Sequence, residues 1–101
     1  MKPPIFDYAA PATLAEATAL LVRHEGDAKV LSGGQSLVPL LNMRLARPAL
    51  LVDLAKLPDL DYVRADGDGL AIGAMTRQRT VELSPLVQAQ HPMLHAGMLL
   101  I

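Results

Sequence analysis

The sequence contains no cysteine, carries almost no net charge and has no long run of apolar residues. Without cysteine, the chain can supply neither a disulfide nor a CxxC redox pair, and it has no thiolate for zinc or an iron–sulfur cluster. If the protein takes part in electron transfer, the carrier bound to this chain must therefore be organic.

The formal charge is −1 and no cluster of lysine or arginine is present. Such a chain lacks the basic surface that binds nucleic acid or an anionic membrane. Residues 1–12 have no apolar run of the signal-peptide kind, and no stretch approaches the ~18 apolar residues of a membrane span. We therefore expect no nucleic-acid partner, no membrane span and a cytoplasmic location.

The composition, 51% hydrophobic and 19% charged, is that of a globular protein, and 101 residues allow one small domain at most. The chain ends on the four apolar residues Met98–Ile101, which make a poor solvent-exposed terminus. We expect residues 1–101 to be an incomplete domain.

Local patterns in the first half predict alternating strands and helices. Thr13 and Glu16 have the spacing of a capping box, and Gly26 follows the last apolar turn, so a helix is predicted over about 14–24. The predicted elements that follow are a strand at Ala28–Leu31, a helix from Leu37 to about Ala46 with Pro39 in its first turn, and a strand at 49–54. This order indicates a parallel βαβ unit.

The second half predicts a hairpin and short helices. Residues 62–65 and 70–74 are predicted to pair across a four-residue loop, 66–69. Thr76 is predicted to cap the next helix, and Ser84 and His91, each followed by proline, precede further helical stretches. The fold class is therefore α/β with α+β character.

The turn Ser32-Gly33-Gly34-Gln35-Ser36 lies between a predicted strand and a predicted helix. Glycines let backbone amides approach a phosphate closely, and the Gln35 and Ser36 side chains add donors. The turn lacks the Lys-Ser/Thr of a P-loop and the spacing of the G-x-G-x-x-G fingerprint. Taken alone, a Gly-Gly turn more often merely joins a strand to a helix than it binds a ligand.

A longer run gives this turn more weight. Residues 30–48, Val-Leu-Ser-Gly-Gly-Gln-Ser-Leu-Val-Pro-Leu-Leu-Asn-Met-Arg-Leu-Ala-Arg-Pro, resemble the first flavin-binding motif of the medium subunits of carbon monoxide dehydrogenase and xanthine dehydrogenase-type hydroxylases. Segments 2–8, 52–54 and 72–77 extend the similarity over essentially the whole chain.

The resemblance implies the N-terminal part of an FAD-binding domain of the vanillyl-alcohol oxidase (PCMH) type, with a βαβ unit, a hairpin and flanking helices. It implies that the first motif cradles the FAD pyrophosphate. The cofactor-binding residues carried over from it are Val30, Leu31, Ser32, Gly33, Gly34, Gln35, Ser36 and Leu37. Relatives that tether flavin covalently often have a histidine where this chain has Gln35, so non-covalent FAD is expected.

The family's second glycine-rich motif, of the form Thr-Ile-Gly-Gly-Ser, is not present in residues 1–101. We therefore expect the fragment alone to be inactive. By resemblance, molybdopterin and [2Fe-2S] centres belong to a large and a small partner subunit, and FAD passes their electrons to a terminal acceptor. The substrate, and whether that acceptor is NAD, quinone or oxygen, stay open.

Other polar residues favour simpler interpretations. No nucleophile–base pair or carboxylate dyad is visible, so no catalytic residue is predicted. His91 and His95 have Pro92 between them and no third ligand, and the loop with Asp66 and Asp68 lacks the distal glutamate of a calcium site, so no metal site is predicted.

Arg44 and Arg47 are expected to oppose a helix dipole, with a role near the diphosphate as the alternative. Met75 and Thr76 could approach the flavin through the resemblance, but the residues alone indicate a hairpin exit and a helix cap. For the whole chain, two alternatives stay open: a stand-alone flavin oxidoreductase of the same fold and a non-flavin interaction module.

Overall fold

The structure is a computed structural model that describes residues 1–101. The chain forms two compact units, Met1–Pro58 and Asp59–Ile101, called here the first and the second unit. Helices and small sheets are present in both. No helix is long and apolar enough to cross a membrane; the longest, α1, has 10 residues.

The first unit is built on a parallel three-stranded sheet. Its elements are β1 (Asp7–Ala9), α1 (Leu14–Arg23), β2 (Ala28–Leu31), α2 (Leu37–Asn42) and β3 (Leu50–Asp53). The strand order is β1-β3-β2, and both pairings with β3 are parallel. The predicted parallel βαβ unit is therefore confirmed as β2-α2-β3.

The central strand β3 carries the core of the first unit. Leu50, Leu51 and Val52 are all buried, although successive side chains point to opposite faces of the sheet. A run of this kind is apolar at every position because both faces are covered. Ala17 of α1 and Leu41 of α2 are the buried helical residues in this unit.

The start of α1 follows the predicted capping pattern with one difference. Thr13 Oγ1 accepts a hydrogen bond from the Glu16 amide at 3.1 Å, which caps the helix. The Glu16 carboxylate accepts from the Ala12 amide at 3.3 Å, one residue earlier than the reciprocal bond of a capping box. Gly26 has φ +79°, the left-handed conformation expected after a helix end.

Helix α2 is shorter than predicted. It ends at Asn42, because Arg44 takes a left-handed backbone with φ +58° that cannot continue a right-handed helix. The Leu45 and Ala46 amides both donate to the Leu40 carbonyl, at 2.9 and 3.3 Å, and close the turn after the helix. The prediction that this helix reaches Ala46 was wrong, since no glycine or proline marks its end.

The second unit has a hairpin followed by three short helices. These are β4 (Val63–Asp66), β5 (Gly69–Ile72), α3 (Gln78–Leu83), α4 (Pro85–Gln90) and α5 (Pro92–Met98), with Val81 and Val87 buried. The antiparallel hairpin is confirmed, but its register pairs Asp66 with Gly69. The predicted four-residue loop is therefore a two-residue turn, with Gly67 at φ +58°.

Two capping predictions in the second unit have different outcomes. Ser84 caps α4 as predicted, with its hydroxyl accepting from the Val87 amide at 3.4 Å. The N-cap of α3 is Arg77, so the prediction for Thr76 was wrong. The Thr76 hydroxyl lies 3.0 Å from both the amide and the carbonyl of Tyr62, and it joins the segment after the hairpin to the segment before it.

Candidate functional site: a glycine turn at the carboxyl edge of the parallel sheet

The candidate site begins where β2 ends. Residues 32–36 join β2 to α2 at the carboxyl edge of the sheet, where ligands of open parallel sheets bind. The connection from β1 to β2 crosses over the central strand β3, and the connection from β2 leads back to β3. Because both crossovers are expected to be right-handed, their helices belong on opposite faces. The carboxyl end of β3 then lies in the crevice between the loops that follow β1 and β2.

The turn depends on two consecutive glycines with left-handed backbones. Gly33 has φ +74° and Gly34 has φ +87°. A residue with a β-carbon adopts this conformation at a cost of roughly 1–2 kcal/mol, so the pair strongly favours glycine. This conformation turns the chain sharply between strand and helix.

The amides of this turn are not used by the local backbone. No backbone carbonyl accepts a hydrogen bond from the amides of Gly33, Gly34, Gln35 or Ser36. The Val38 amide, two residues beyond Ser36, donates to the Gly34 carbonyl at 3.0 Å. A turn with several such donors suits an anionic ligand, because amides that bond to no backbone carbonyl can donate to an acceptor outside the main chain.

The two glycines have different surroundings. A β-carbon added at Gly34, which is buried, would lie 3.0 Å from Val38 Cγ2 and 3.3 Å from Leu31 Cδ1. A β-carbon added at Gly33 would meet no atom within 4 Å. Gly34 therefore allows the turn to pack on its own strand and helix, whereas the open face of the turn is at Gly33.

The other predicted site residues divide into exposed and supporting positions. Ser32, Gln35 and Ser36 are exposed, and the Ser36 side chain makes no capping bond to α2. The carbonyl of Leu31 accepts from the Leu54 amide at 3.1 Å, which joins the start of the turn to the end of β3. Val30 and Leu37 are the remaining predicted positions, on β2 and at the first residue of α2.

A tyrosine–aspartate pair lies at the same edge and was not predicted. The Tyr8 hydroxyl donates to Asp53 Oδ2, and the Ala55 amide donates to Asp53 Oδ1 at 2.9 Å. The hydrogen bond to Asp53 raises the pKa of the Tyr8 phenol, with smaller contributions from desolvation and the carboxylate charge. The only sequence signal was an aspartate at the end of a buried strand.

The other polar candidates lie elsewhere or have structural partners. Arg44 Nε donates to the Lys2 carbonyl at 3.5 Å, and Arg47 Nε donates to the Arg44 carbonyl at 3.3 Å, so both side chains brace the turn after α2. His91 and His95 are at the start and within α5 of the second unit. No group of three or more histidine, cysteine, aspartate or glutamate residues is arranged to hold a metal.

Comparison with known proteins identifies the fold. The family profile described as the FAD binding domain in molybdopterin dehydrogenase matches residues 4–101. Caffeine dehydrogenase subunit beta of Pseudomonas sp. (strain CBB1) is 43% identical over 98 residues, which are 97% of this chain and 33% of that protein. The carbon monoxide dehydrogenase medium chain of Hydrogenophaga pseudoflava is 45% identical over 94 residues, 93% of this chain and 33% of that protein.

Solved structures give the same result. A carbon monoxide dehydrogenase from Hydrogenophaga pseudoflava matches 100% of this chain and 35% of its own, with TM-score 0.93 and 44% identity. Quinoline 2-oxidoreductase from Pseudomonas putida 86 matches 97% of this chain and 34% of its own, with TM-score 0.89 and 38% identity. The chain thus spans about a third of the length of the relatives it matches.

The fold is thus the one that these relatives share. The chain belongs to the family of FAD-binding domains of molybdopterin dehydrogenases. This confirms the resemblance and the fold class predicted from residues 30–48 and the segments around them.

Proposed function

We propose that this chain is the N-terminal part of a PCMH-type domain that binds FAD without a covalent link, within the medium subunit of a molybdenum-containing hydroxylase. In this proposal residues 30–37 hold the diphosphate of FAD. The observation that carries it is the turn with two left-handed glycines and four amides that bond to no backbone carbonyl.

The residues present fit a diphosphate. The open side of Gly33 lets phosphate oxygens approach the main chain, and the amides of Gly33–Ser36 supply donors. Gln35 and Ser36 are exposed beside them and add side-chain donors. Hydrogen bonds between amides and charged phosphate are about twice as strong as neutral ones, so a few of them hold the group firmly.

The non-covalent link is proposed from Gln35. A glutamine amide has no nucleophilic nitrogen with which to attack the flavin ring, and the chain has no cysteine to do so elsewhere. The histidines of this chain lie outside the turn, at positions 24, 91 and 95.

The role of the whole subunit extends the same proposal. FAD supplies the redox chemistry when bound, while the protein residues position it. We propose that the subunit receives electrons from iron–sulfur centres of a small partner and passes them to a terminal acceptor, with molybdopterin held by a large partner. Names of the relatives support this, since they include a medium chain of carbon monoxide dehydrogenase and a subunit of a caffeine dehydrogenase. A cytoplasmic location is part of the proposal.

The experiment is to purify the intact parent subunit from its native source with whatever proteins accompany it. Flavin, molybdenum and iron are then measured per subunit, and the flavin is tested for release by acid precipitation. We expect FAD in the supernatant, with molybdenum and iron in the same complex. Flavin without the metals would indicate a stand-alone flavoprotein, absence of flavin would refute the binding role, and yellow colour in the pellet would refute non-covalent attachment.

A further inference from the structure

The Tyr8–Asp53 pair has no role in the core of the first unit. Tyr8 is 57% exposed, and Asp53 is half-buried. Exposed hydrogen bonds of this kind contribute little to stability, because water competes for the same groups. The position and the remaining hydrogen-bonding capacity of the pair indicate a different role.

The pair lies beside the glycine turn. Asp53 is the last residue of β3, and its register partner on β2 is Leu31, the residue directly before the turn. The Leu54 amide to Leu31 carbonyl hydrogen bond of 3.1 Å continues this pairing past the strand ends. Tyr8 lies on β1, the other strand that pairs with β3. The Tyr8–Asp53 pair therefore lies at the crevice where the loops after β1 and β2 diverge.

The chemistry of the pair complements that of the turn. A carboxylate has about four acceptor sites, and Asp53 uses one for Tyr8 and one for the Ala55 amide. The Tyr8 hydroxyl gives its only proton to Asp53, so the pair presents acceptors alone. Such a group repels phosphate and attracts hydroxyl donors, whereas the adjacent turn presents amide donors.

We propose that Asp53, oriented by Tyr8 and the Ala55 amide, accepts a hydrogen bond from a sugar hydroxyl of the same ligand whose phosphates the glycine turn holds. A molecule with hydroxyls next to a diphosphate fits both groups at once. In FAD that hydroxyl belongs either to the ribose or to the ribityl chain. The inference rests on the proposed function, which supplies the diphosphate ligand.

The experiment separates the two sugars with two halves of the cofactor. ADP carries the ribose with its phosphates, and FMN carries the ribityl chain with a phosphate. Each is titrated calorimetrically into the flavin-stripped intact subunit, as wild type, Asp53→Asn and Tyr8→Phe. Loss of one hydrogen bond to a charged acceptor is expected to weaken binding about tenfold to a hundredfold in Asp53→Asn, and less in Tyr8→Phe.

The control is Asp27→Asn. Asp27 also accepts a backbone amide, that of Ala49 at 3.4 Å, but it precedes β2 and therefore lies at the opposite edge of the sheet. The substitution removes the same charge from the same unit without touching the crevice. We expect ADP and FMN to bind this variant as they bind the wild type.

Every outcome decides the inference. Weaker binding of ADP alone assigns Asp53 to the ribose, and weaker binding of FMN alone assigns it to the ribityl chain. Equal weakening of both would indicate that the pair only braces the strands, and unchanged binding of both would remove it from the site; either result overturns the inference. Absence of ADP, FMN and FAD binding in the wild type would instead refute the proposed function.

Discussion

Replacement of Gly33 by alanine tests the phosphate site most directly. The added methyl would meet no protein atom within 4 Å, so it projects into the open space on the exposed side of the turn. If the diphosphate lies there, the methyl keeps phosphate oxygens away from the amides. We expect Gly33→Ala to weaken FAD binding while the first unit keeps its fold.

The magnitude follows from two separate costs. A left-handed alanine at φ +74° costs roughly 1–2 kcal/mol of stability, with no added packing cost. Loss of a single charge-assisted hydrogen bond to phosphate costs about 1.5–3 kcal/mol of binding, and about 1.4 kcal/mol is tenfold in affinity. The dissociation constant for FAD should therefore rise at least tenfold and up to about a hundredfold.

The chain offers a matched control at Gly26. Its φ is +79°, and a β-carbon there also meets nothing within 4 Å, but it lies in the turn between α1 and β2. Gly26→Ala should therefore lower the melting temperature of the apoprotein as much as Gly33→Ala does. FAD affinity should fall only in Gly33→Ala.

The assay is titration of FAD into both flavin-stripped variants of the intact subunit, followed by quenching of flavin fluorescence. Melting temperatures are measured without FAD, because ligand binding itself stabilises the folded state. Equal dissociation constants for Gly33→Ala, Gly26→Ala and the wild type would refute our placement of the phosphates. Gly34 is less suitable for this test, since a side chain there would crowd Val38 and Leu31.

Three further predictions concern stability, the tyrosine pair and the extent of the site. Gly73→Ala should destabilise the intact subunit by about 3 kcal/mol in urea unfolding, because the alanine β-carbon would lie 2.2 Å from the Leu60 carbonyl oxygen. Unchanged stability would contradict this packing. The Tyr8 phenol should titrate spectroscopically above its ordinary pKa of about 10, and Asp53→Asn should lower that midpoint. Because the folded state holds this proton more tightly than the unfolded state, the protonated Tyr8 stabilises the fold at lower pH. This contribution to folding stability is lost as pH rises through the folded pKa. Calorimetry should show that residues 1–101 alone bind FAD at least about a hundredfold more weakly than the intact subunit. Loss of two charge-assisted hydrogen bonds to the cofactor is enough to weaken binding by that factor. Comparable affinities would show that residues 1–101 form a self-sufficient site.

Several elements could be predicted because their signals are local. The Thr13 cap and Gly26 bound α1, and the apolar run before Leu54 indicated a strand covered on both faces. The prediction for α2 extended too far because Arg44 adopts a left-handed backbone, which an arginine in the sequence does not predict. Thr76 was assigned to a helix cap, although its hydroxyl bonds the backbone at Tyr62, 14 residues earlier.

The glycine turn could be found from the sequence because its chemistry is contiguous. Two adjacent glycines between a strand and a helix carry the conformational freedom that the turn requires, and the surrounding run specified the family. The sequence could not distinguish Gly33 from Gly34. That distinction depends on where Val38 and Leu31 point once the turn is folded.

The sequence by itself determined the alternation of strands and helices, the parallel βαβ unit and the position of the glycine turn, because each depends on residues close together in the chain. Tertiary structure decided which side chains lie at the same edge of the sheet as the turn. Tyr8 and Asp53 are 45 residues apart, and they meet only because β1 and β2 both pair with β3. No local pattern encodes such a meeting, since strand order is set by the burial of β3 between its neighbours rather than by the order of residues along the chain.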